Sequence, residues 1–162
     1  MDLYASVVFI HASTILLFFI AHGTSMAVAF KLKQETDPAR VRALLELSRS
    51  SLGAPAITVV IIGFVSGIAV GFLGEWWGMW WIWIALVLFV VAAGLMTPLA
   101  TNRFAKIGAA AGLPGRGKDP APAVEDPVEM QRLIAAWSPL PIAAFGLAAF
   151  LVLLWLMLVK PF

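Results

Sequence analysis

The sequence predicts an all-α membrane protein built as a bundle of four transmembrane helices, and three observations lead to that prediction. The 162-residue chain is 62% hydrophobic and only 12% charged, with a mean hydropathy of +0.96, whereas a soluble domain is nearer half apolar and a quarter charged. Four uncharged apolar stretches are each long enough to cross a bilayer. Nearly all cations lie in two of the segments between them. These features exclude a soluble globule, a disordered tail and a nucleic-acid-binding protein, and the length suits one transmembrane domain covering residues 1–162.

Each predicted span lacks Asp, Glu, Lys and Arg and has at least the roughly 20 residues that a helix needs to cross a hydrocarbon core about 30 Å thick. Because backbone polar groups in hydrocarbon must be bonded within their own segment, the spans should be helices. We number them TM1 to TM4, at residues 3–30, 52–74, 76–102 and 137–159. TM1 is longer than the apolar core of a signal peptide and follows Asp2 rather than a basic residue, so we expect it to be retained, although residues 27–29 resemble a cleavage site.

The basic residues predict the orientation of the spans. Ten of them lie between TM1 and TM2 or between TM3 and TM4, and Lys160 alone lies on the other side. By the positive-inside rule, both of these loops should be cytoplasmic and the N- and C-termini should be outside. Indole rings favour the headgroup zone, so tryptophans at the outer end of TM3 agree with this orientation; ligand stacking is the alternative role for them. They are Trp76, Trp77, Trp80, Trp81 and Trp83.

The two cytoplasmic loops share a pattern that predicts an internal repeat. Asp37-Pro38 begins one short stretch of helical periodicity and Asp126-Pro127 begins the other, and this pair suits the cap and first position of a helix. Each loop should therefore hold a short amphipathic helix at the inner interface. The pattern then predicts a parallel 2+2 repeat of span, interfacial helix and span.

Residues 112–127 are rich in Gly and Pro and predict a flexible loop. The loop nearly matches a phosphate-binding motif, but it lacks the hydroxyl and the preceding strand that a nucleotide site needs.

TM2 and TM3 each carry a feature of helix geometry. Gly63, Gly67 and Gly71 are spaced four residues apart and form a groove where another helix can approach closely. That helix belongs either to the same chain or to a second copy. Pro98 removes a helix hydrogen bond near the inner end of TM3, so we expect a bend or a hinge there, with the neighbouring threonines bonding the freed carbonyls.

The two histidines are the main candidates for a functional site. His11 and His22 share one face of TM1 and lie about 16 Å apart along its axis. An ionisable side chain inside a membrane is a functional-site hypothesis by default, and neutral imidazole is a good ligand for haem iron or copper. Met26, one turn after His22, would add a thioether that suits both metals. The alternatives are structural hydrogen bonds to a neighbouring helix and proton handling.

Several kinds of chemistry lack the residues they need. No predicted span contains a carboxylate, Lys or Arg, and the chain has no Cys. Paired-carboxylate catalysis, a carboxylate proton relay, a voltage sensor and thiolate metal sites are therefore unsupported, and the sequence leans away from an enzyme.

The whole chain resembles a family of uncharacterised bacterial four-helix integral membrane proteins, a domain of unknown function. Its layout is similar to that of copper-resistance-D-like and membrane protoporphyrinogen-oxidase-like proteins. The residues that carry the resemblance are His11, Gly23, Asp37-Pro38, Pro55, the Trp-rich turn, Pro98, Arg103 and residues 156–161. The resemblance implies a bacterial inner-membrane location and haem binding at His11. The functional lysine of the oxidase-like relatives has no counterpart inside a span.

The sequence therefore predicts a site for haem b or copper beside TM1, formed by His11, His22 and Met26, and a redox-accessory or metal- and haem-handling role. The expected partners are the lipid bilayer and either a second copy in a homodimer or a larger membrane complex, with no nucleic acid and no nucleotide. The alternative is a non-catalytic structural or assembly subunit that docks through the TM2 groove and the interfacial helices. A small transporter formed by dimerisation is a third option.

Overall fold

The secondary structure of the described residues is helical throughout. The computed structural model describes residues 2–115 and 124–162, so part of the predicted flexible loop lies outside the described residues. The α-helices are α1 (Leu3–Leu32), α2 (Pro38–Ser51), α3 (Ala54–Leu73), α4 (Trp80–Ala110), α5 (Pro127–Ala135) and α6 (Leu140–Val159). A single 3-10 turn, Trp76–Gly78, joins α3 to α4, and we call it the tryptophan turn.

Four segments are long and apolar enough to cross a membrane: α1, α4, α6 and the segment Pro38–Leu73 that contains α3. Large apolar side chains along them are more than half exposed, as is normal where lipid rather than protein surrounds a helix. Examples are Phe9, Val65, Val87 and Leu147. The chain is an all-helical, multi-pass membrane protein. We call the end of the bundle with α2 and α5 the loop end, and the end with the tryptophan turn the turn end.

Two spans are longer than a bilayer requires. α1 has 30 residues and α4 has 31, whereas α3 and α6 have 20 each. At 1.5 Å per residue the long helices measure about 45 Å, half as long again as the hydrocarbon core. α4 passes through Pro98 and ends at Ala110, beyond the predicted end at residue 102. In the described residues the hydroxyls of Thr97 and Thr101 bond no carbonyl, so the expected side-chain compensation at Pro98 is absent there.

The two short helices begin at the Asp-Pro pairs. The Asp37 carboxylate accepts a hydrogen bond from the N–H of Ala39, and the Asp126 carboxylate accepts one from the N–H of Glu129, each at 2.9 Å. These bonds satisfy N–H groups that a helix start leaves free. The element order is thus span, short helix and span, twice over, while the internal duplication itself stays a prediction.

The apolar faces of α2 and α5 contact protein, where the sequence led us to expect contact with the membrane interface. Val41 of α2 and Met130 of α5 are completely buried. They belong to a loop-end cluster that draws on both halves of the chain, because the overrunning ends of α1 and α4 reach it. Its buried members are Val28, Ala29, Leu32, Val41, Leu45, Ile107, Ala110, Ala111, Leu113, Met130, Ile134 and Trp137.

Polar bonds reinforce the loop-end cluster. The hydroxyls of Ser25 in α1 and Ser48 in α2 lie 2.7 Å apart and are buried. Lys33 Nζ donates to the carbonyl oxygen of Ile134 at 2.7 Å, near the carboxyl end of α5, where a cation is favourable. This end of the molecule therefore joins the two halves of the chain with both apolar and polar contacts.

Within the membrane-spanning region, the helices associate as two pairs. α1 packs mainly against α3, and α4 packs mainly against α6. A smaller turn-end cluster of Trp81, Ile82, Ala85 and Leu156 holds the second pair together near the tryptophan turn. His11, His22 and Met26 lie on α1, so each can contact either α3 or the pair formed by α4 and α6.

Candidate functional site

His11 is bonded to the backbone of α3. Its Nδ1 lies 2.8 Å from the carbonyl oxygen of Gly63 and 3.4 Å from Oγ of Ser66. Because a carbonyl only accepts, Nδ1 donates the hydrogen bond to Gly63. The Ser66 hydroxyl also bonds the carbonyl oxygen of Ile62 at 2.7 Å, as hydroxyls within helices commonly do. The bond from His11 to Gly63 is the structural role that the sequence left as an alternative.

The glycine row of α3 makes room for α1. A Cβ on Gly67 would lie 2.8 Å from Cε1 of His11, and a Cβ on Gly63 would lie 2.9 Å from Oγ1 of Thr14. At Gly71 the added atom would meet the tryptophan turn at 3.0 Å. Close approach of this kind is what small residues at helix interfaces permit. In the described residues these three positions are therefore approached by the chain itself, which is one of the two occupants that the sequence allowed.

His22 lies between α1 and the second pair of spans. Its Nε2 is 3.9 Å from the position that a Cβ on Gly146 of α6 would occupy. Met96 of α4 approaches the same position, with Cε at 2.5 Å and Sδ at 3.1 Å. The His22 ring also stacks on Phe18, with ring centres 5.7 Å apart. Three helices therefore meet at a gap that exists because Gly146 has no side chain, and we call His22, Met96 and Gly146 the His22 site.

The imidazole of His22 has no hydrogen-bond partner among residues 2–115 and 124–162. Polar atoms in an apolar environment cost free energy unless something binds them. His11 meets that requirement with a carbonyl, and His22 does not. The difference makes His22, rather than His11, the stronger candidate for binding a ligand.

Met26 lies one turn beyond His22 on the same helix, and its side chain is half-buried. Side chains four residues apart lie on the same face of a helix, so Met26 and His22 are neighbours on α1. The sequence placed these two residues together but missed Met96 and Gly146, because periodicity describes one helix at a time. A signal was present, since Gly146 is the only glycine of α6.

The two histidines do not form a single site. They share one face of α1, but His11 contacts α3 while His22 contacts α4 and α6. In the part of the chain that the structure describes, no group of three or more His, Cys, Asp or Glu side chains could hold a metal ion. A metal site at either histidine would therefore depend on thioethers.

The surroundings of the histidines do not fit a haem between helices. At His11 one edge of the ring contacts Gly67, and the approach of α1 to α3 leaves no space there for a porphyrin. At His22 the gap is so narrow that a single added Cβ would lie 2.5 Å from the Met96 methyl.

The tryptophans at the turn end have different surroundings. Trp80 is 73% exposed and Trp83 is half-exposed, as the predicted membrane anchors should be. Trp81 is only 4% exposed and belongs to the turn-end cluster. The ammonium of Lys160 lies 3.7 Å from the ring centre of Trp76, within cation–π range. The cluster thus combines lipid-facing anchors with internal packing.

In comparisons with known proteins, no family model, no curated protein and no solved structure matches the chain. The function is therefore argued from the geometry of the site.

Proposed function

We propose that this chain is a copper(I)-handling integral membrane protein that holds its ion at the His22 site. The single observation that carries the proposal is that an unbonded imidazole and a thioether both approach the glycine gap of α6, with His22 Nε2 at 3.9 Å and Met96 Sδ at 3.1 Å from the position of a Cβ on Gly146. His22 and Met96 are the first two ligands, and Met26 is the third.

The donor set favours copper(I) over other metals. Thioethers are soft ligands that select Cu(I), and imidazole also suits copper. Zinc in proteins takes thiolate, imidazole or carboxylate ligands, and the spans contain only the imidazole. All donors at the site are neutral, so a bound ion keeps its full charge. Because charge in hydrocarbon is costly, a monovalent ion is favoured over a divalent one.

The position of the site is consistent with handling of an ion rather than catalysis. Gly146 lies in the second turn of α6, about 9 Å from the start of that helix at the loop end. An ion would therefore travel only a short distance from the aqueous side of the loop end. The predicted spans contain no Asp, Glu, Lys or Arg that could join His22 there as an acid or base.

The assembly-subunit alternative receives less support. The glycine groove is filled by α1, and the apolar faces of α2 and α5 are buried in the loop-end cluster. The surfaces that would dock a partner are thus occupied within the chain. Haem at His11 remains the expectation from the family resemblance and is an outcome of the test below.

The proposal is tested by competition for Cu(I) between the detergent-purified protein and a chromophoric Cu(I) chelator, without oxygen. We expect His22→Ala and Met96→Leu each to weaken Cu(I) binding at least about tenfold, the equivalent of one lost ligand bond worth 1.4 kcal/mol. Met26→Leu should weaken it less. His11→Ala is the matched control, because it removes the other intramembrane imidazole, and it should bind Cu(I) as the native protein does.

Two results would overturn the proposal. The first is Cu(I) affinity that is unchanged in His22→Ala while circular dichroism shows intact helices. The second is a Soret band in the gently purified protein that disappears in His11→Ala, which would assign the site to haem at His11 instead.

A further inference from the structure

α4 carries a basic hollow near the loop end that the His22 site does not use. Its volume is about 180 Å³, and it is open to the surroundings of the bundle. Its lining residues are Pro98, Leu99, Asn102, Arg103 and Lys106. Four of them follow the i, i+3, i+4, i+7 spacing of a single helix face.

The two cations of the hollow have no polar partner in the described part of the chain, unlike Arg42 and Lys33 at the same end of the molecule. Arg42 bonds the Glu125 carboxylate at 2.6 Å, and Lys33 bonds a carbonyl at 2.7 Å. Within residues 2–115 and 124–162, Arg103 and Lys106 make neither an ion pair nor a hydrogen bond. They are also three residues apart on one helix, a spacing at which like charges repel. An anion between them would remove that repulsion.

The depth of the hollow matches the lipid headgroups. α4 begins at Trp80, and the hydrocarbon core spans about 20 helical residues, so the core ends near residue 100. Leu99 then lies at the edge of the hydrocarbon and is 56% exposed. Asn102, Arg103 and Lys106 lie at the level where phosphates occur.

We propose that this hollow binds the phosphate of an anionic phospholipid. The Arg103 guanidinium and the Lys106 ammonium pair with the phosphate oxygens, since a guanidinium matches a phosphate with two parallel bonds. The Asn102 amide donates a further hydrogen bond to the headgroup. Leu99 and Pro98 contact the first carbons of an acyl chain. Basic pockets beside transmembrane helices bind anionic headgroups by this chemistry.

The test is titration of the full-length protein in detergent with phosphatidylglycerol or with phosphatidylcholine, with bound lipid counted by native mass spectrometry. We expect the native protein to prefer phosphatidylglycerol. The double variant Arg103→Gln/Lys106→Gln should bind it about 30-fold more weakly, with each removed charge contributing about fivefold. Binding of phosphatidylcholine should not change.

Lys31→Gln is the matched control, since Lys31 is an exposed cation at the loop end of α1, outside the hollow. It should retain the native preference. Equal loss in Lys31→Gln would overturn the proposal in favour of diffuse surface charge, and full retention by the double variant would overturn it outright. The last measurement is competition between the lipid and inorganic phosphate. If phosphate displaces the lipid completely at millimolar concentration, the hollow binds free phosphate and the lipid assignment is wrong.

Discussion

The imidazole of His22 and the thioether of Met96 both approach Gly146, although they belong to different halves of the chain. In the membrane the spans otherwise associate as α1 with α3 and α4 with α6. The contact therefore lies where the two pairs join. A ligand bound there would bind both pairs at once, and would stabilise the bundle by RT ln(1 + L/Kd), where L is its free concentration.

Filling the glycine gap should disable the His22 site. A Cβ from Gly146→Ala would lie 2.5 Å from Cε of Met96, so the Met96 side chain must move out of its place at the His22 site. Because methionine is flexible, we expect a stability loss of only about 1 kcal/mol, at the low end for overpacking, with at least tenfold weaker Cu(I) binding. The measurements are detergent thermal unfolding and chelator competition. Gly94→Ala on α4 is the control, since nothing lies within 4 Å of its added Cβ; equal effects of both variants would contradict the site.

The contact between α1 and α3 should tolerate no added carbon at Gly67. The new Cβ would lie 2.8 Å from Cε1 of His11, whose ring is fixed by its bond to Gly63. We expect Gly67→Ala to lower the free energy of unfolding by about 1–3 kcal/mol. Gly23→Ala has open space around it and should be neutral or slightly stabilising. Unfolding in SDS, followed by circular dichroism, measures both, and a neutral Gly67→Ala would contradict the helix contact described above.

The buried serine pair at the loop end should show energetic coupling. Ser25→Ala or Ser48→Ala alone leaves the other hydroxyl buried without this partner, at a cost of about 1–3 kcal/mol. The double variant should cost less than the two singles combined, because it leaves no orphaned hydroxyl. A double-mutant cycle by thermal unfolding gives the coupling. Strictly additive effects would mean that the two hydroxyls do not bond each other in the membrane.

One ion pair of α5 should respond to acid. The Arg132 guanidinium donates a hydrogen bond to the Glu129 carboxylate at 2.7 Å, which lowers the pKa of Glu129 below its usual value and raises that of Arg132. A lowered carboxyl pKa contributes stability above the ordinary Glu value of about 4.3, and this contribution is lost as the pH falls through the lowered pKa. The pair is exposed, so the effect on global stability should be small.

NMR titration of the labelled Glu129 carboxyl checks this expectation. Its midpoint should lie below the ordinary value in the native protein and return to it in Arg132→Gln. An identical midpoint in both proteins would show that the pair does not form in solution.

Composition and charge placement were sufficient to predict the four spans, because hydrocarbon demands long uncharged helices whatever their packing. The continuation of α4 to Ala110 was not predictable in the same way. Its last turns contain Arg103, Lys106 and small residues, which resemble a loop. They remain helical because Ile107 and Ala110 are buried against helices from elsewhere in the chain. That support is a tertiary effect, and the hydropathy of one segment does not report it.

The sequence predicted only some of the residues of the candidate site. His22 and Met26 share a helix face, and this follows from spacing alone. Met96 is brought to His22 by the association of α1 with α4 and α6, which no single-helix pattern encodes. The sequence did not decide between a structural and a ligand-binding role for His11 for the same reason. Its partner is a backbone carbonyl of α3, and every residue has a carbonyl, so the sequence does not show which one is the partner.

The overrun of α1 and α4 beyond the bilayer has a mechanical consequence for the His22 site. Apolar burial is concentrated in the loop-end and turn-end clusters, while the intervening stretch relies on glycines and isolated polar bonds. The loop-end cluster thereby anchors both halves of the chain, and the turn-end cluster anchors α4 and α6, independently of the site. The side chains of the His22 site can therefore reorient around an incoming ion without loosening the scaffold that surrounds them.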